Sequence, residues 1–389
     1  MAEAKKLKIG ILTFWWSNDN YGQLLQCYAL QKYLRDAGYE AFLIRYIKNN
    51  DVPKTSLIIR ILKGLNPIRL YKHFEYIVNL KKSIKEEKKY NRHFDDFRKN
   101  YIVQSEKIYT SYEQLKENPP EADIYIVGSD QVWNLNFSNR LSEVKKLIHA
   151  YFLDFGNPSV KRMSYAASWS RNDLTSEIAE EIRPLLKKFN YVSVREKNGI
   201  ELCKKCGYDK AEFRCDPTLL NDASCYRNLY KNNISAKQNK KYIFVYRLSN
   251  PCDFDIASIY KWAAEKNLEV IYVPGNNFYD KYKKTFATVE DWLYLIDNAE
   301  YVITNSFHCC VFSLLFKKKF AVVPLTGNLK GMNTRLDTLF KRFNIEPRWI
   351  LKSDLSVLEN SFESYSFIKV SFNIEKIIDL KSDNQSTSV

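Results

Sequence analysis

The sequence KIGILTF (residues 8–14), with the segments that follow it, decides the fold class. It is an apolar run typical of a buried strand. A polar loop, Ser17–Gly22, separates it from Gln23–Ala37, where apolar residues recur with a helical period until Gly38. The apolar segment Tyr39–Tyr46 predicts a second strand. A strand, a helix and a strand in this order predict a parallel sheet with a right-handed crossover.

The same alternation recurs in two later groups of segments. The first group predicts three strands and one helix, at Asp123–Gly128, Arg162–Ala167, Tyr191–Arg195 and Thr175–Phe189 respectively. The second group predicts four strands, at Tyr242–Tyr246, Leu268–Val273, Tyr301–Thr304 and Phe320–Pro324. Its four predicted helices are Asp255–Lys266, Thr288–Asn298, His308–Phe316 and Thr334–Phe343. We therefore expect an α/β protein with two Rossmann-like domains facing across a cleft, which resembles the GT-B architecture.

The length and composition agree with two globular domains. The chain has 389 residues, of which 45% are hydrophobic and 27% charged, and a single core stops growing at about 250–300 residues. We predict an N-terminal domain over residues 1–230 with a basic helical insertion at 54–100, and a C-terminal domain over residues 241–380. The polar residues 381–389 are expected to form a disordered tail, and the basic segment Lys231–Lys241 to link the domains.

Neither a membrane span nor a signal peptide is predicted. No apolar run approaches about 18 residues, and the N-terminus lacks the apolar region and cleavage site of a secretory signal. We therefore expect a cytoplasmic protein, whose eight cysteines are free and mostly buried thiols.

The positive charge of the chain is concentrated in one block. The formal net charge is +15, and residues 54–99 alone contain 13 Lys and Arg against 5 Asp and Glu. Such a block indicates an anionic partner. Two interpretations stay open: a surface facing anionic lipids on the inner side of the membrane, and a solvated pair of basic helices. No module for specific nucleic-acid binding is recognisable.

Polar residues that follow predicted strands are the candidates for chemistry, because ligands of such sheets bind beyond the carboxyl ends of the strands. Ser129 and Asp130 follow an apolar strand. Asp130 either acts as an acid, base or orienting group, or one of the two residues caps the next helix. His308 and Ser306 follow a later strand and open a helix, where a near-neutral imidazole suits proton transfer and Ser306 can cap the helix.

Further candidates could bind an anion. The loop containing Asn20, Tyr21 and Gly22 precedes a helix whose N-terminus offers free N–H groups and a partial positive charge. A guanidinium group can bind a carboxylate or phosphate through bidentate hydrogen bonds. Four arginines lie near predicted strand ends or loops: Arg171, Arg195, Arg247 and Arg335.

Taken in order, the motifs of this chain resemble the polysaccharide pyruvyl transferase family. The similarity lies in Asn20–Gly22 with Tyr28–Gln31, Val127–Asn134, Tyr165–Ser168, Ser193–Glu196, Asp216–Leu220, Thr304–His308 with Val311–Ser313, and Asn333–Arg335. Cys309 and Cys310 depart from the family pattern, which has small residues there. The resemblance implies a GT-B-like fold, no obligatory metal or cofactor, and transfer of pyruvate from phosphoenolpyruvate onto two hydroxyls of a saccharide, forming a cyclic ketal and releasing phosphate. It also associates His308 and nearby arginines with the phosphoenolpyruvate site.

This chemistry suggests roles for the candidate residues. We expect Arg195 and Arg335 to clamp the phosphate and carboxylate, His308 to act as the acid, and Asp130 to act as the base on the sugar hydroxyl. The Asn20–Gly22 loop would hold the acceptor or a carboxylate. If the block at 54–99 binds a membrane, the acceptor would be linked to a polyprenyl diphosphate. Two alternatives stay open: a GT-B glycosyltransferase using a nucleotide sugar, and a non-catalytic protein that binds a membrane surface.

Overall fold

The structure, a computed structural model, describes residues 6–47, 85, 90–135, 141–232, 234–248, 254–275, 280, 282–360 and 370–375. Most of the predicted basic insertion at 54–100 and all of the predicted tail at 381–389 lie outside the described residues. The same holds for a small part of the predicted linker at its residue 233.

Seven parallel strands form the first sheet. They are β1 (Lys8–Leu12), β2 (Glu40–Tyr46), β3 (Gln104–Tyr109), β4 (Ile124–Val127), β5 (Lys161–Ala167), β6 (Tyr191–Val194) and β7 (Glu212–Phe213), in the spatial order β3-β2-β1-β4-β5-β6-β7. The central strands β1 and β4 are almost wholly buried, which explains why their sequences are continuous apolar runs rather than alternating ones. The order reverses between β1 and β4, so the cleft of this sheet opens at the carboxyl ends of these two strands.

Seven described helices accompany this part of the chain. They are α1 (Tyr21–Asp36), α2 (Phe94–Tyr101), α3 (Tyr112–Glu117), α4 (Leu141–Tyr151), α5 (Ser176–Leu186), α6 (Asn198–Lys205) and α7 (Ala223–Tyr230). The Asn20 side chain begins α1 by accepting a hydrogen bond from Gln23 N, and Thr175 begins α5 by accepting one from Ile178 N. These caps satisfy backbone N–H groups that a helix leaves free in its first turn.

Four parallel strands form the second sheet. They are β8 (Tyr242–Arg247), β9 (Glu269–Pro274), β10 (Tyr301–Thr304) and β11 (Lys319–Val322), in the order β11-β10-β8-β9. The helices between and after them are α8 (Ile256–Glu265), α9 (Val289–Asp297), α10 (Phe307–Leu315) and α11 (Thr334–Arg342). Each strand and helix predicted for this part of the chain is present, with ends that differ by one or two residues.

Aromatic packing joins the two halves of the molecule. Tyr21, at the start of α1, is fully buried, stacks on Trp292 of α9 with ring centroids 5.1 Å apart, and donates a hydrogen bond to Ala287 O. Arg92 is also buried, and its guanidinium donates to Pro274 O at the end of β9. The first loop of the N-terminal half is therefore fixed against the second sheet.

Two segments cross from one half to the other. Helix α7 packs on α9, where Arg227 pairs with Asp297 at 2.7 Å. The segment 370–375 returns to the first half. There the backbone N–H of Phe372 donates a hydrogen bond to the Tyr33 hydroxyl, and the Phe372 ring lies against Tyr165. These contacts hold both sheets close on either side of the cleft.

Candidate functional site

A buried carboxylate, that of Asp216, lies where the two halves meet. Its Oδ2 lies 2.8 Å from Arg195 Nη1, 3.1 Å from Ser129 Oγ and 3.2 Å from His308 Nε2. Its Oδ1 accepts hydrogen bonds from the backbone N–H and the hydroxyl of Thr218. We call these five residues the Asp216 cluster. They include three of the residues predicted from the sequence, Ser129, Arg195 and His308.

The positions of the cluster follow from the parallel sheets. Ser129 follows β4 and Arg195 follows β6, so both side chains come from carboxyl ends of strands in the first sheet. His308 lies in the first turn of α10, directly after β10 of the second sheet. The cluster therefore forms only when the two halves come together, at the edge where ligands of such sheets bind.

The charges of the cluster keep Asp216 ionised. Burial raises the pKa of the Asp216 carboxyl, but the charge of His308 and hydrogen bonds from His308 and Thr218, together with the charge of Arg195, outweigh it. The net result is a pKa well below the usual range of a carboxyl. An ionised carboxylate next to a ring nitrogen fixes the orientation of the imidazole.

Arg195 has more donors than partners. Its side chain is almost fully buried, yet Nε and Nη2 have no hydrogen-bond partner among the described residues. Buried N–H groups of a charged side chain are costly when unpaired, so two such groups indicate a place for a ligand. The ligand expected from the charge is an anion, because a guanidinium pairs best with carboxylate or phosphate.

Arg335, the second predicted arginine, lies beside Arg195. The two guanidinium carbons are 5.8 and 5.0 Å from the centre of the same Phe307 ring. Burial and, after it, the charge of Arg195 lower the pKa of Arg335 to about 10. Both arginines line one small cavity together with Asp216 and Phe307. Two buried cations held this close would be stabilised by an anion between them.

Gly22 is the point where the first loop meets the histidine. A Cβ added at Gly22 would lie 2.3 Å from His308 Nδ1 and 2.5 Å from His308 Cβ. Only glycine leaves room for the imidazole to lie against the first turn of α1. The structure thus gives Gly22 a role in placing His308.

Asp130, the predicted base, lies in a turn next to this group. It adopts a left-handed backbone with φ of 57°, and its Oδ1 accepts a hydrogen bond from Gln131 N at 2.8 Å. It is buried, and its negative charge acts on both Arg195 and Arg335. No helix begins here, so the carboxylate caps a turn rather than a helix.

Glu196 is a member of this region that the sequence did not single out as a site residue. It is buried, and its Oε1 accepts hydrogen bonds from Trp169 N at 2.6 Å, Ser170 N at 2.8 Å and Ser168 Oγ at 3.0 Å. Ser168 N in turn donates to Asp130 O at 2.9 Å. Glu196 therefore anchors the loop of residues 168–170, to which Asp130 is hydrogen-bonded through Ser168. Its position directly after Arg195, beyond a buried strand, was the available signal.

The remaining predicted residues have other contacts. Asn20 caps α1, and Ser306 caps α10 by accepting from Cys309 N, as predicted for Ser306. The ring and hydroxyl of Tyr21 are used in packing between the halves, and ligand binding by its loop stays a prediction. Arg171 is half-buried and donates to Asp173 O within its own loop, and Arg247 is buried at the end of β8 near Phe254.

Two further observations concern the described part of the chain only. No group of three or more His, Cys, Asp or Glu side chains in it is arranged to hold a metal ion. None of its helices is both long and apolar enough to cross a membrane.

Comparison with solved structures defines the class of fold. The structure of S. aureus MnaA with UDP superposes with a TM-score of 0.50 at 12% identity, covering 98% of each chain. UDP-N-acetylglucosamine 2-epimerase from Rickettsia bellii gives a TM-score of 0.49 at 10% identity, covering 99% of each chain. The same epimerase from Methanocaldococcus jannaschii gives 0.45 at 10% identity, covering 98% of this chain and all of the other. The fold is of the GT-B type.

A match in sequence identifies the family. Residues 20–325 match the family described as polysaccharide pyruvyl transferase, and the chain belongs to that family. It is therefore a transferase. The matched range includes the whole Asp216 cluster. No curated protein matches the chain in sequence.

Proposed function

We propose that this protein transfers pyruvate from phosphoenolpyruvate onto two hydroxyls of a saccharide acceptor, forming a cyclic ketal and releasing phosphate. The observation that carries the proposal is the pair Arg195 and Arg335, two buried guanidiniums beside one Phe307 ring, with two N–H groups of Arg195 unpartnered. Phosphoenolpyruvate bears a carboxylate and a phosphate on one small carbon skeleton. Two adjacent guanidiniums suit that pattern.

The reaction needs a proton at the methylene carbon of the donor. In the first step, an acceptor hydroxyl adds its oxygen to the central carbon and its proton passes through Asp130 to solvent. The carbon–carbon double bond of the donor breaks, and its methylene takes a separate proton and becomes a methyl group. His308 is the proposed acid, because it lies at the cleft and its Nε2 is 3.2 Å from the ionised carboxylate of Asp216. That carboxylate holds the ring in position for the transfer, as a positioning residue does.

The second step closes the ketal. The second hydroxyl forms its bond to the same central carbon, the bond from that carbon to the phosphate oxygen breaks, and phosphate leaves with the electron pair. Asp130 is the proposed base that accepts the hydroxyl proton. Arg195 and Arg335 would stabilise the charge that develops on the departing phosphate.

The direct test is incubation of the purified protein with phosphoenolpyruvate and a panel of saccharide acceptors. We expect phosphate release that depends on the acceptor, and a product whose mass increases by one pyruvyl unit. Arg335→Gln should abolish both, since it removes one of the two donor-binding cations. An Arg335→Gln variant with unchanged turnover, or phosphate release without a pyruvylated product, would contradict the proposal.

We also propose that the basic block binds anionic lipids, which would bring the protein to membrane-bound acceptors. Most of this block lies outside the described residues, but two of its cations are already used within the fold. Arg92 donates to Pro274 O, and Arg98 donates to Trp15 O and Ser17 O. Sedimentation with anionic liposomes at low salt tests the proposal, and the protein remaining in the supernatant would refute it.

A further inference from the structure

A groove runs along α11 on the outer side of the candidate site. It has a volume of about 550 Å³ and is lined by Lys197, Phe213, Thr334, Thr338, Lys341 and Arg342, with Asp337. One wall is α11 of the second half, and the other comes from the ends of β6 and β7 in the first half. We call it the α11 groove. None of its lining residues was predicted from the sequence as a site residue.

The α11 groove adjoins the cavity that contains Arg195 and Arg335. Phe213, Thr338 and Arg342 line both spaces, so the groove continues inward to the two buried guanidiniums. Arg195, whose Nε and Nη2 have no hydrogen-bond partner among the described residues, is one of the residues that line this cavity.

The charges of the groove favour an anion. Lys197, Lys341 and Arg342 face one carboxylate, that of Asp337, which already accepts a hydrogen bond from Trp349 Nε1 at 3.3 Å. A cleft lined by cations concentrates anions near its surface.

The helix itself does not account for all of these cations. Lys341 and Arg342 lie in the last turn of α11, where cations complement the negative end of a helix. Lys197 comes from the opposite wall, directly after Arg195 and Glu196. Its presence there is independent of α11.

We propose that the α11 groove is a second binding site for phosphate groups, and that it holds the phosphate-bearing part of the saccharide acceptor while the donor binds at Arg195 and Arg335. The inference rests on the proposed function, because it assigns these two arginines to phosphoenolpyruvate. The acceptor class it names is a saccharide joined to a phosphate or diphosphate. Such an acceptor would present its sugar hydroxyls toward Arg195 and its phosphates toward Lys197 and Lys341.

The test is a calorimetric titration of inorganic pyrophosphate into the protein saturated with phosphoenolpyruvate. We expect pyrophosphate to bind without displacing the donor. In the double variant Lys197→Gln/Lys341→Gln the affinity should fall about tenfold, because two partly exposed charge pairs contribute roughly 1 kcal/mol or less each. The donor affinity of this variant should be unchanged.

A matched control removes the same charge elsewhere. Lys187→Gln/Lys261→Gln also replaces one exposed lysine in each half of the molecule, neither of which lines the groove, and should leave pyrophosphate binding as in the wild type. Equal weakening in both double variants would show a general effect of net charge and overturn the proposal. Pyrophosphate that binds only by displacing phosphoenolpyruvate would overturn it as well.

The source of the phosphate is separated by two further probes. Uridine diphosphate represents an acceptor linked to a nucleotide, and farnesyl diphosphate represents one linked to an isoprenoid lipid. A groove-dependent affinity for one of them above that of pyrophosphate assigns the source, and equal affinities show recognition of the diphosphate alone. Weaker groove-dependent binding of both would overturn the acceptor assignment.

Failure of the proposed function is distinguishable from failure of this inference. If phosphoenolpyruvate does not bind, the proposed function fails, and pyrophosphate is titrated into the donor-free protein instead. Comparison of Lys197→Gln/Lys341→Gln with Arg335→Gln then separates the groove from the inner cavity. Pyrophosphate binding weakened only by Arg335→Gln would refute the groove as a phosphate site.

Discussion

Among the residues that the structure describes, two clusters bring a histidine together with an aspartate and a cation, and only one of these clusters has the character of an active site. In the Asp216 cluster, His308 and Arg195 both contact one buried carboxylate. In the second cluster, which we call the His149 cluster, His149 Nδ1 lies 2.7 Å from Asp154 and Nε2 lies 3.0 Å from Glu181. Lys188 and Lys145 complete it by pairing with Asp154 and Glu181 respectively.

The difference lies in burial and in unused hydrogen-bonding groups. The Asp216 side chain is fully buried, whereas those of His149 and Asp154 are 28% and 20% exposed. Both ring nitrogens of His149 have carboxylate partners, while Arg195 keeps two buried N–H groups unpartnered. The His149 cluster joins two helices on the outside of one sheet, and the Asp216 cluster joins both halves at the cleft. A histidine–aspartate pair therefore indicates a site only where donors remain for a ligand.

The largest expected difference in kcat and stability is between the variants Asp216→Asn and Asp154→Asn, one from each cluster. Asp216→Asn should lower kcat about 10³-fold, because His308 and Arg195 both lose the carboxylate that positions them. It should also lower the free energy of unfolding by about 3 kcal/mol, since it leaves a buried arginine without its ion pair. Asp154→Asn should leave kcat unchanged and cost less than about 1 kcal/mol. Phosphate release and urea unfolding measure the two quantities.

If Asp216→Asn does not fold, His308→Gln still tests whether the Asp216 cluster, unlike the His149 cluster, is needed for activity. The variant retains the ion pair between Arg195 and Asp216 and should lower kcat by about 10²-fold or more. His149→Gln is the matched control and should retain full activity. Equal turnover of the two glutamine variants would remove His308 from the catalytic role.

A second prediction concerns Gly22, which packs against His308 and so fixes its position. His149 has no such glycine in the described part of the chain. Gly22→Ala should lower kcat by roughly 10²-fold, because the added Cβ would lie 2.3 Å from His308 Nδ1 and displace the ring. The free energy of unfolding should change little, since alanine favours the helix by about 1 kcal/mol over glycine and offsets part of the strain. Gly331→Ala, whose Cβ has only Asn172 Nδ2 nearby at 3.8 Å, is the control. A fully active Gly22→Ala variant would contradict the close packing.

The fold could be predicted from the sequence where strands are buried on both faces, and less well elsewhere. β1, β4 and β10 are continuous apolar runs and were predicted. β3 was not, because it is an edge strand of mostly polar, partly exposed residues, and β7 has only two residues. Helices α3, α4 and α7 were also not predicted.

Three residues of the Asp216 cluster were predicted from the sequence, but its central residue, Asp216, was not. Strand ends pointed to Ser129, Arg195 and His308, because parallel strands bring their carboxyl ends to one edge. The sequence places Asp216 in the family motif Asp216–Leu220 but indicates no role for its side chain. Its contacts to His308 and Ser129 span 92 and 87 residues of sequence, and they depend on how the two halves pack. No local pattern carries that information.

A third prediction tests whether the Asp130 loop depends on Glu196. Glu196→Ala should lower kcat roughly tenfold with little change in the KM for phosphoenolpyruvate, because the loop of residues 168–170 loses its anchor. Glu196→Gln should recover most of the activity, since the amide oxygen can accept the same hydrogen bonds. If Glu196→Gln is as impaired as Glu196→Ala, the negative charge rather than the anchoring is what matters. A change in unfolding alone would assign Glu196 to stability.

The smallest effect is expected in the His149 cluster and appears as a pH dependence of stability. Although burial opposes it, hydrogen bonds from Lys188 and His149 lower the pKa of Asp154 to about 2, from an ordinary value of 3.8. A carboxyl whose folded pKa is lowered stabilises the fold above its unfolded pKa and loses that contribution as the pH falls through the folded value. Because Asp154 is partly exposed, the contribution is about 1 kcal/mol.

The stability deficit of Asp154→Asn relative to the wild type should therefore be constant above about pH 5 and shrink as the pH falls toward 2. Urea unfolding across this range measures it. The Asp216 carboxyl, whose pKa lies lower, should keep its stabilising effect over the pH range in which Asp154 loses its own. A deficit of Asp154→Asn that grows on acidification would show that the ion pairs with Lys188 and His149 do not hold that carboxyl ionised, and would remove the electrostatic basis for comparing the two clusters.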